Sequence, residues 1–248
     1  MRFILMHKTN EHWEAGAIPT ADVIARVGKL MGELQGAGVL LDGGGLRASS
    51  QGARLRFSGG QRSVEPGPFK AGSKAPAGFA ILRTASLDEA VEWASRFADV
   101  LGDTEIDVRP VTEPWDIGLG NKPEGLTTRR YMAMYKVAPA QEATAHAPET
   151  AAAMKRLHQE MSRAGVLLSA VGFEPSAKGK RLQLPRSPRA AGGKPIVTDG
   201  PFTETKELIA GFVMVAGDSI EDAMRWASSY LEVVETHEVD VLGCDERL

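Results

Sequence analysis

The sequence contains a single cysteine, Cys244, so no disulfide bond can form within the chain. It has no apolar run of the roughly 20 residues that a membrane-spanning helix needs. The polar residues that follow soon after Phe3 are not typical of a signal peptide. A lone cysteine suits a reducing compartment, so we expect a cytoplasmic protein with no membrane partner.

A surplus of charge of one sign is also missing. The 29 lysines and arginines nearly balance the 32 aspartates and glutamates, and the formal net charge is −3. Such a chain has no overall attraction for nucleic acid. Residues 178–194 are locally basic but lack interleaved aromatic residues, so we predict a solvated loop there and no nucleic-acid partner.

No phosphate-binding or metal-binding motif is complete. Residues 41–46, Leu-Asp-Gly-Gly-Gly-Leu, lack the Gly-x-Gly-x-x-Gly spacing of a phosphate loop, and we predict an ordinary loop there. His12, His146 and His237 have no partner at ligand spacing. The sequence therefore predicts no metal site and no cofactor, and it contains no complete catalytic constellation.

What the chain does contain is an internal repeat. Blocks near the start recur after 127 or 128 residues, whereas later blocks recur after 133. The larger offset predicts six extra residues in the second copy, between Leu184 and Ile196. We therefore predict two tandem copies, residues 1–113 and 129–248, joined by a linker at 114–128. The matched blocks are Arg2-Phe3 with Arg130-Tyr131, 37–41 with 164–168, 67–69 with 200–202, 78–79 with 211–212, and 93–95 with 226–228.

Each copy is predicted to run strand, helix, hairpin, strand, helix, strand. Alternating residues at 3–7 and 131–135 indicate strands, and apolar residues spaced by three and four indicate helices. This order is typical of an antiparallel sheet with both helices on one face, so the predicted fold class is α+β. The second copy can cover the open sheet face of the first, as the partner in a homodimer would. The helix stripe predicted for the second copy is Met154, Leu157, Met161 and Ala164.

The second copy contains the decapeptide Thr-Asp-Gly-Pro-Phe-Thr-Glu-Thr-Lys-Glu at residues 198–207. This decapeptide resembles the signature of the DGPF family, also called YCII-related proteins, and the matched blocks extend the resemblance over both copies. The resemblance implies two ferredoxin-like units that pack sheet to sheet as an intramolecular dimeric α+β barrel. Related proteins have a proposed catalytic histidine near the start of the first helix, where this chain has Asp22 and Ile24 in one copy and Glu149 and Thr150 in the other.

The degenerate first-copy segment at residues 65–74 divides this motif in two. Gly-Pro-Phe occurs in both copies, so we predict a structural turn. The charges of Asp199, Glu204, Lys206 and Glu207 occur in the second copy only. They are either a turn cap with solvated ion pairs or a site at the mouth of a cleft. At such a site Asp199 and Glu204 would be base or ligand-orienting carboxylates, and Lys206 would hold an anion.

His7 and Tyr135 are at equivalent ends of the first strands, and Lys8 and Lys136 follow them. A lone histidine beside an apolar strand is either a satisfied rim residue or an acid–base group. In the catalytic interpretation Asp199 is the base, and His7 or Tyr135 is the acid. The predicted ligand-binding residues are Thr198, Glu204, Lys206, Glu207 and Lys136.

Three functions remain open at this point. The first is a small-molecule-binding or accessory protein with its site in a cleft beside Asp199. The second is an enzyme that acts on a small organic substrate by proton abstraction or elimination. The third is a regulatory partner of an extracytoplasmic-function sigma factor, because many family members lie beside genes for such factors. The chain is expected to be a pseudo-dimer, and further homodimerisation stays open.

Overall fold

The computed structural model describes residues 1–142, 147–185, 195–202 and 208–245. The described residues form a mixed α+β fold with antiparallel strands. The helices are α1 Glu11–Glu14, α2 Ala21–Gly36, α3 Leu87–Leu101, α4 Pro148–Arg163 and α5 Ile220–Val233. The strands are β1 Arg2–Lys8, β2 Leu40–Gly45, β3 Ala53–Ser58, β4 Gln61–Pro66, β5 Ala75–Thr84, β6 Glu105–Pro110, β7 Arg129–Val137, β8 Leu167–Phe173, β9 Lys180–Gln183, β10 Ile196–Asp199, β11 Ile209–Ala216 and β12 Glu238–Asp245.

The chain divides into two compact units, and each takes segments from both predicted copies. Among the described residues, unit 1 contains Met1–Gly45 together with 174–185, 195–202 and 208–244. Unit 2 contains 46–142, 147–173 and Asp245. The units are therefore not the same as the predicted copies at 1–113 and 129–248. The two-copy division stays a prediction from the sequence.

In unit 1 the strand order is β2-β11-β1-β12-β9-β10, with antiparallel neighbours. β1 pairs with β11 on one side and with β12 on the other, so it is a central strand. Its odd-numbered residues, such as Leu5, pack with Leu34 of α2 and Leu231 of α5 in one core. Because side chains alternate along a strand, the even-numbered residues face the side away from these helices.

Unit 2 repeats this plan with the strand order β8-β5-β7-β6-β3-β4. Its core joins Phe97 of α3 and Met161 of α4 to strand residues such as Ala133. In each unit, the first β-α-β segment of one predicted copy forms a sheet with the hairpin and the second β-α-β segment of the other copy. The core of each unit therefore takes side chains from both predicted copies.

Two local expectations are wrong. Residues 41–46 were expected to form a loop, but Leu40–Gly45 is strand β2, paired with β11. A Cβ on Gly43 would lie only 3.3 Å from the carbonyl oxygen of Phe212, so glycine suits this close backbone approach. Ala164 is exposed and caps the end of α4, so it is not part of the buried stripe.

Among the described residues, we find no helix that combines the length and the apolar character needed to cross a membrane.

Candidate functional site

The Gly-Pro-Phe turn of the decapeptide is held by a serine on a neighbouring turn. A Cβ on Gly200 would lie 1.8 Å from the carbonyl oxygen of Ser176, so only glycine fits there. The Phe202 N–H donates to the Ser176 hydroxyl at 3.2 Å. In the first copy Gly67 meets Ser49 in the same way, also at 1.8 Å. The turn is therefore a repeated structural device.

The ring of Phe202, at the end of this turn, contacts a buried ionic cluster in unit 1. Its ring centroid lies 4.4 Å from the guanidinium carbon of Arg181. Arg181 binds Asp240 with two nitrogens, at 2.6 and 3.0 Å, and the Lys8 ammonium binds the same carboxylate at 2.5 Å. Lys8 is only 1% exposed. We call Lys8, Asp240 and Arg181 the unit 1 cluster.

The unit 1 cluster keeps its carboxylate ionised. Burial by itself raises the pKa of Asp240, but the charge of Lys8 and the hydrogen bond from Arg181 outweigh it and hold that pKa below its ordinary value. Glu238 balances the second cation, at 3.1 Å from Arg181. Because its charges pair internally, the cluster is built to hold strands together rather than to exchange protons.

Unit 2 contains the same arrangement at the equivalent positions. Arg54 binds Asp107 at 2.6 and 2.9 Å, and its guanidinium lies 4.4 Å from the ring of Phe69. Lys136, a predicted ligand-binding residue, is buried, and it binds Asp107 and, at 3.4 Å, Glu105. We call Lys136, Asp107 and Arg54 the unit 2 cluster. Burial and these ion pairs account for a lysine at position 136 without a ligand.

Asp199, the predicted base, lies on the outermost strand of unit 1. Its side chain is 78% exposed and accepts a hydrogen bond from Lys180 at 2.8 Å. Thr198 is also exposed, and it lies opposite Arg181 in the register of β10 and β9. The other predicted ligand-binding residues, Glu204, Lys206 and Glu207, lie outside the described residues.

The structure does not bring Asp199 to His7. The order β10-β9-β12-β1 places Asp199 three strands from β1, which is about 14 Å across a sheet. That separation exceeds hydrogen-bond reach. Tyr135 belongs to unit 2, on β7.

His7 instead meets Tyr230 of α5, a residue that the sequence did not single out. The His7 Nδ1 and the Tyr230 hydroxyl are 2.7 Å apart, and the rings form an edge contact with centroids 5.3 Å apart. His7 is half-buried, whereas Tyr230 is only 4% exposed. Burial raises the pKa of Tyr230, so its phenol stays protonated at physiological pH.

A glycine makes room for this pair. A Cβ on Gly211 would lie 2.6 Å from the Cε1 of His7, so a side chain there would displace the imidazole. In unit 2, Gly78 makes room for Tyr135 in the same way. The matched Gly-Phe blocks are therefore explained by the ring that each glycine admits.

The equivalent pair in unit 2 is much less polar. Tyr135 stacks on Phe97 with centroids 5.9 Å apart, and its hydroxyl donates to the Val171 carbonyl at a long 3.5 Å. Burial, followed by the charge of Asp245, raises the pKa of Tyr135. The offset of 133 aligns Phe97 with Tyr230. The apolar stripe of α3 matches that of α5, except that Tyr230 stands where α3 has Phe97. This difference is the sequence signal that could have identified Tyr230.

The His7–Tyr230 pair is what distinguishes unit 1 chemically. An imidazole can donate, accept or carry a proton near neutral pH, and a buried phenol can orient it. Among the residues that the structure describes, no group of three or more histidine, cysteine, aspartate or glutamate side chains is placed to hold a metal ion.

The comparisons with known proteins identify one region of the chain. Residues 130–233 match the model of the YCII-related domain. The matched region contains Tyr135, Arg181, Asp199 and Tyr230, and it excludes His7. No curated protein and no solved structure matches the chain.

Proposed function

We propose that the chain is a small-molecule-binding protein whose ligand site is built around His7 and Tyr230. The observation that carries this proposal is the difference between the two units. At equivalent positions, unit 1 has an imidazole hydrogen-bonded to a phenol, whereas unit 2 has a tyrosine stacked on a phenylalanine. The hydrogen bond offsets the cost of burying these two polar groups, so unit 1 can keep an ionisable imidazole where unit 2 has a tyrosine.

The surroundings suit a small organic ligand. Ligand sites are mostly apolar, with a few polar groups that fix orientation. His7 and Tyr230 supply those groups beside the apolar core of unit 1, which includes Leu5 and Val213. A ligand with a carbonyl, carboxyl or hydroxyl group would use the pair for orientation.

The same pair favours acid–base chemistry as the second candidate function. His7 would move a proton to or from the ligand, and Tyr230 would hold the ring from behind. This role needs no contact with Asp199. The predicted cleft beside Asp199 and the regulation of a sigma factor stay predictions.

We also propose the finer family assignment, a tandem two-copy DGPF protein with ferredoxin-like units. The support is the recurrence of equivalent contacts: Lys8 and Lys136 each bind an aspartate, and that aspartate binds an arginine stacked on the phenylalanine of Gly-Pro-Phe. Each sheet also uses the strand order expected of a ferredoxin-like unit. The sheet-to-sheet barrel stays a prediction.

The experiment exchanges the chemistry of the pair while keeping its shape. The double variant His7→Tyr with Tyr230→Phe gives unit 1 the residues that unit 2 already accommodates, so we expect it to fold. Thermal-shift screening with small carboxylic acids, ketones and phenols should give stabilisation of the wild type that the double variant loses. Tyr135→Phe is the matched control in unit 2. Equal stabilisation of the wild type and the double variant would remove His7 and Tyr230 from the site.

A further inference from the structure

Among the residues that the structure describes, the hydroxyl of Tyr230 has a single hydrogen-bond partner. That partner is the Nδ1 of His7, at 2.7 Å. Tyr230 is only 4% exposed, and burial raises the pKa of its phenol, so the hydroxyl keeps its hydrogen at neutral pH. A buried hydroxyl that does not donate its hydrogen is costly. The phenol hydrogen is therefore directed at His7.

This contact decides where the imidazole carries its own hydrogen. A neutral imidazole has one nitrogen that donates and one that accepts. Because Nδ1 accepts the phenol hydrogen, the ring hydrogen is on Nε2. In the opposite arrangement Nδ1–H would donate to the phenol oxygen, and the buried phenol hydrogen would have no acceptor among the described residues.

The surroundings also hold the imidazole in one orientation. Turning the ring over would exchange Nδ1 with Cδ2, and the phenol hydrogen would then meet a carbon atom. The Cε1 of His7 lies against Gly211, where a Cβ would be only 2.6 Å away. The glycine and the tyrosine together fix which nitrogen faces α5.

Unit 2 has no such arrangement at the equivalent positions. The hydroxyl of Tyr135 donates to the carbonyl oxygen of Val171, and Phe97 offers only its ring. The strand residue of unit 2 therefore takes no hydrogen bond from the helix. In unit 1 the helix residue Tyr230 sets which nitrogen of His7 donates.

We infer that Tyr230 is a positioning residue that makes His7 a hydrogen-bond donor at Nε2. The inference rests on the proposed function and narrows its ligand class. Any group that meets Nε2 must accept a hydrogen bond, so a ligand reaches His7 through an acceptor oxygen, as in a ketone or a carboxylate. The acid–base candidate is restricted as well, because Nε2 can give a proton but cannot take one while Tyr230 holds Nδ1.

The first test locates the hydrogen by nuclear magnetic resonance on the full chain with ¹⁵N-labelled histidine. The signals of His7 are those that the double variant His7→Tyr with Tyr230→Phe removes. We expect neutral His7 in the wild type to carry its hydrogen on Nε2 alone. Tyr230→Phe should move the signals toward the average of both tautomers and leave those of the exposed His12 unchanged. A hydrogen on Nδ1 in the wild type, or unchanged His7 signals in Tyr230→Phe, would overturn the inference.

The second test compares ligands that share one ring and differ in hydrogen bonding. Acetophenone and benzoate offer acceptor oxygens, whereas benzylamine, as an ammonium, only donates. Thermal shifts of the wild type should favour the two acceptors. Tyr230→Phe should weaken their binding by about fivefold, the effect of one lost hydrogen bond, and Tyr135→Phe in unit 2 should leave it unchanged.

The two tests separate this inference from the proposed function. Benzylamine that binds as tightly as benzoate, through His7 and Tyr230, would overturn the ligand class and leave the site in place. Absence of binding by all three compounds would count against the proposed site, whereas the position of the hydrogen on His7 is measured without any ligand.

Discussion

Among single residues, Arg181 links the signature motif to the central strands, because it touches Phe202 on one side and Asp240 on the other. Replacing it with alanine leaves the buried pair of Lys8 and Asp240 without its second cation. We expect Arg181→Ala to lower the free energy of unfolding by about 3 kcal/mol, as for other broken buried ion networks. Urea denaturation measures this change. Phe202→Leu removes only the aromatic ring face and should lower the free energy of unfolding by about 1 kcal/mol. Equal losses for the two variants would contradict the larger contribution that we assign to Arg181.

The aspartates of the two clusters predict how stability depends on pH. The folded-state pKa values of Asp107 and Asp240 are lowered, because cations outweigh the effect of burial. A lowered folded pKa stabilises the fold above the ordinary aspartate pKa, and this stabilisation is lost as the pH falls from about 4 through the folded value. Asp240→Asn should therefore flatten the acid limb of a plot of unfolding free energy against pH. An unchanged slope below pH 4 would contradict the assignment.

The structural role of Gly-Pro-Phe could be predicted from the sequence, because the same three residues occur at 67–69 without the other charges of the decapeptide. The ion pair of Lys136 with Asp107 could not be predicted, because the sequence around a lysine near the end of a strand does not show whether the lysine binds a ligand or a carboxylate of the same chain. Tyr230 was missed because its partner His7 lies 223 positions away in the sequence. Contacts of that range follow from strand order, not from local pattern.

At the level of elements, the Gly200 turn gives a test of backbone contact. Gly200→Ala places a methyl group 1.8 Å from the carbonyl oxygen of Ser176, so the turn must move. We expect a loss of at least about 2 kcal/mol, in the range for severe packing faults. Gly32→Ala in α2, where a Cβ meets nothing within 4 Å, should instead add about 0.5 to 1 kcal/mol. Thermal unfolding of both variants would show opposite shifts, and a neutral Gly200→Ala would contradict the contact.

The helices were easier to predict than the glycine-containing strand. Helix α5 begins with a capping box, in which Asp222 accepts from the Ser219 N–H and the Ser219 hydroxyl accepts from the Asp222 N–H. At α3 the glutamate reaches one residue further back, since Glu89 accepts from the Ala85 N–H. Strand β2 was missed because Gly43, Gly44 and Gly45 have low strand propensity, and their pairing with β11 is not visible in the local sequence.

At the scale of the whole molecule, the sequence left the assembly of the units undetermined. Both predicted copies have a lysine near the end of the first strand and an aspartate in the last, so Lys8 could bind Asp107 or Asp240 with the same local chemistry. The structure selects Asp240, and the same choice brings His7 from the first predicted copy to Tyr230 of the second. The candidate site therefore depends on units that combine both copies.

The most direct test of this account is a pair of double-mutant cycles on unfolding free energy. The first combines Lys8→Met with Asp240→Leu, and the second combines Lys8→Met with Asp107→Leu. Residues in one buried network should couple by about 2 kcal/mol, whereas residues of separate networks should be additive within about 0.5 kcal/mol. We predict coupling of Lys8 with Asp240 and additivity of Lys8 with Asp107. The reverse result would show that each copy folds on itself, and it would separate His7 from Tyr230.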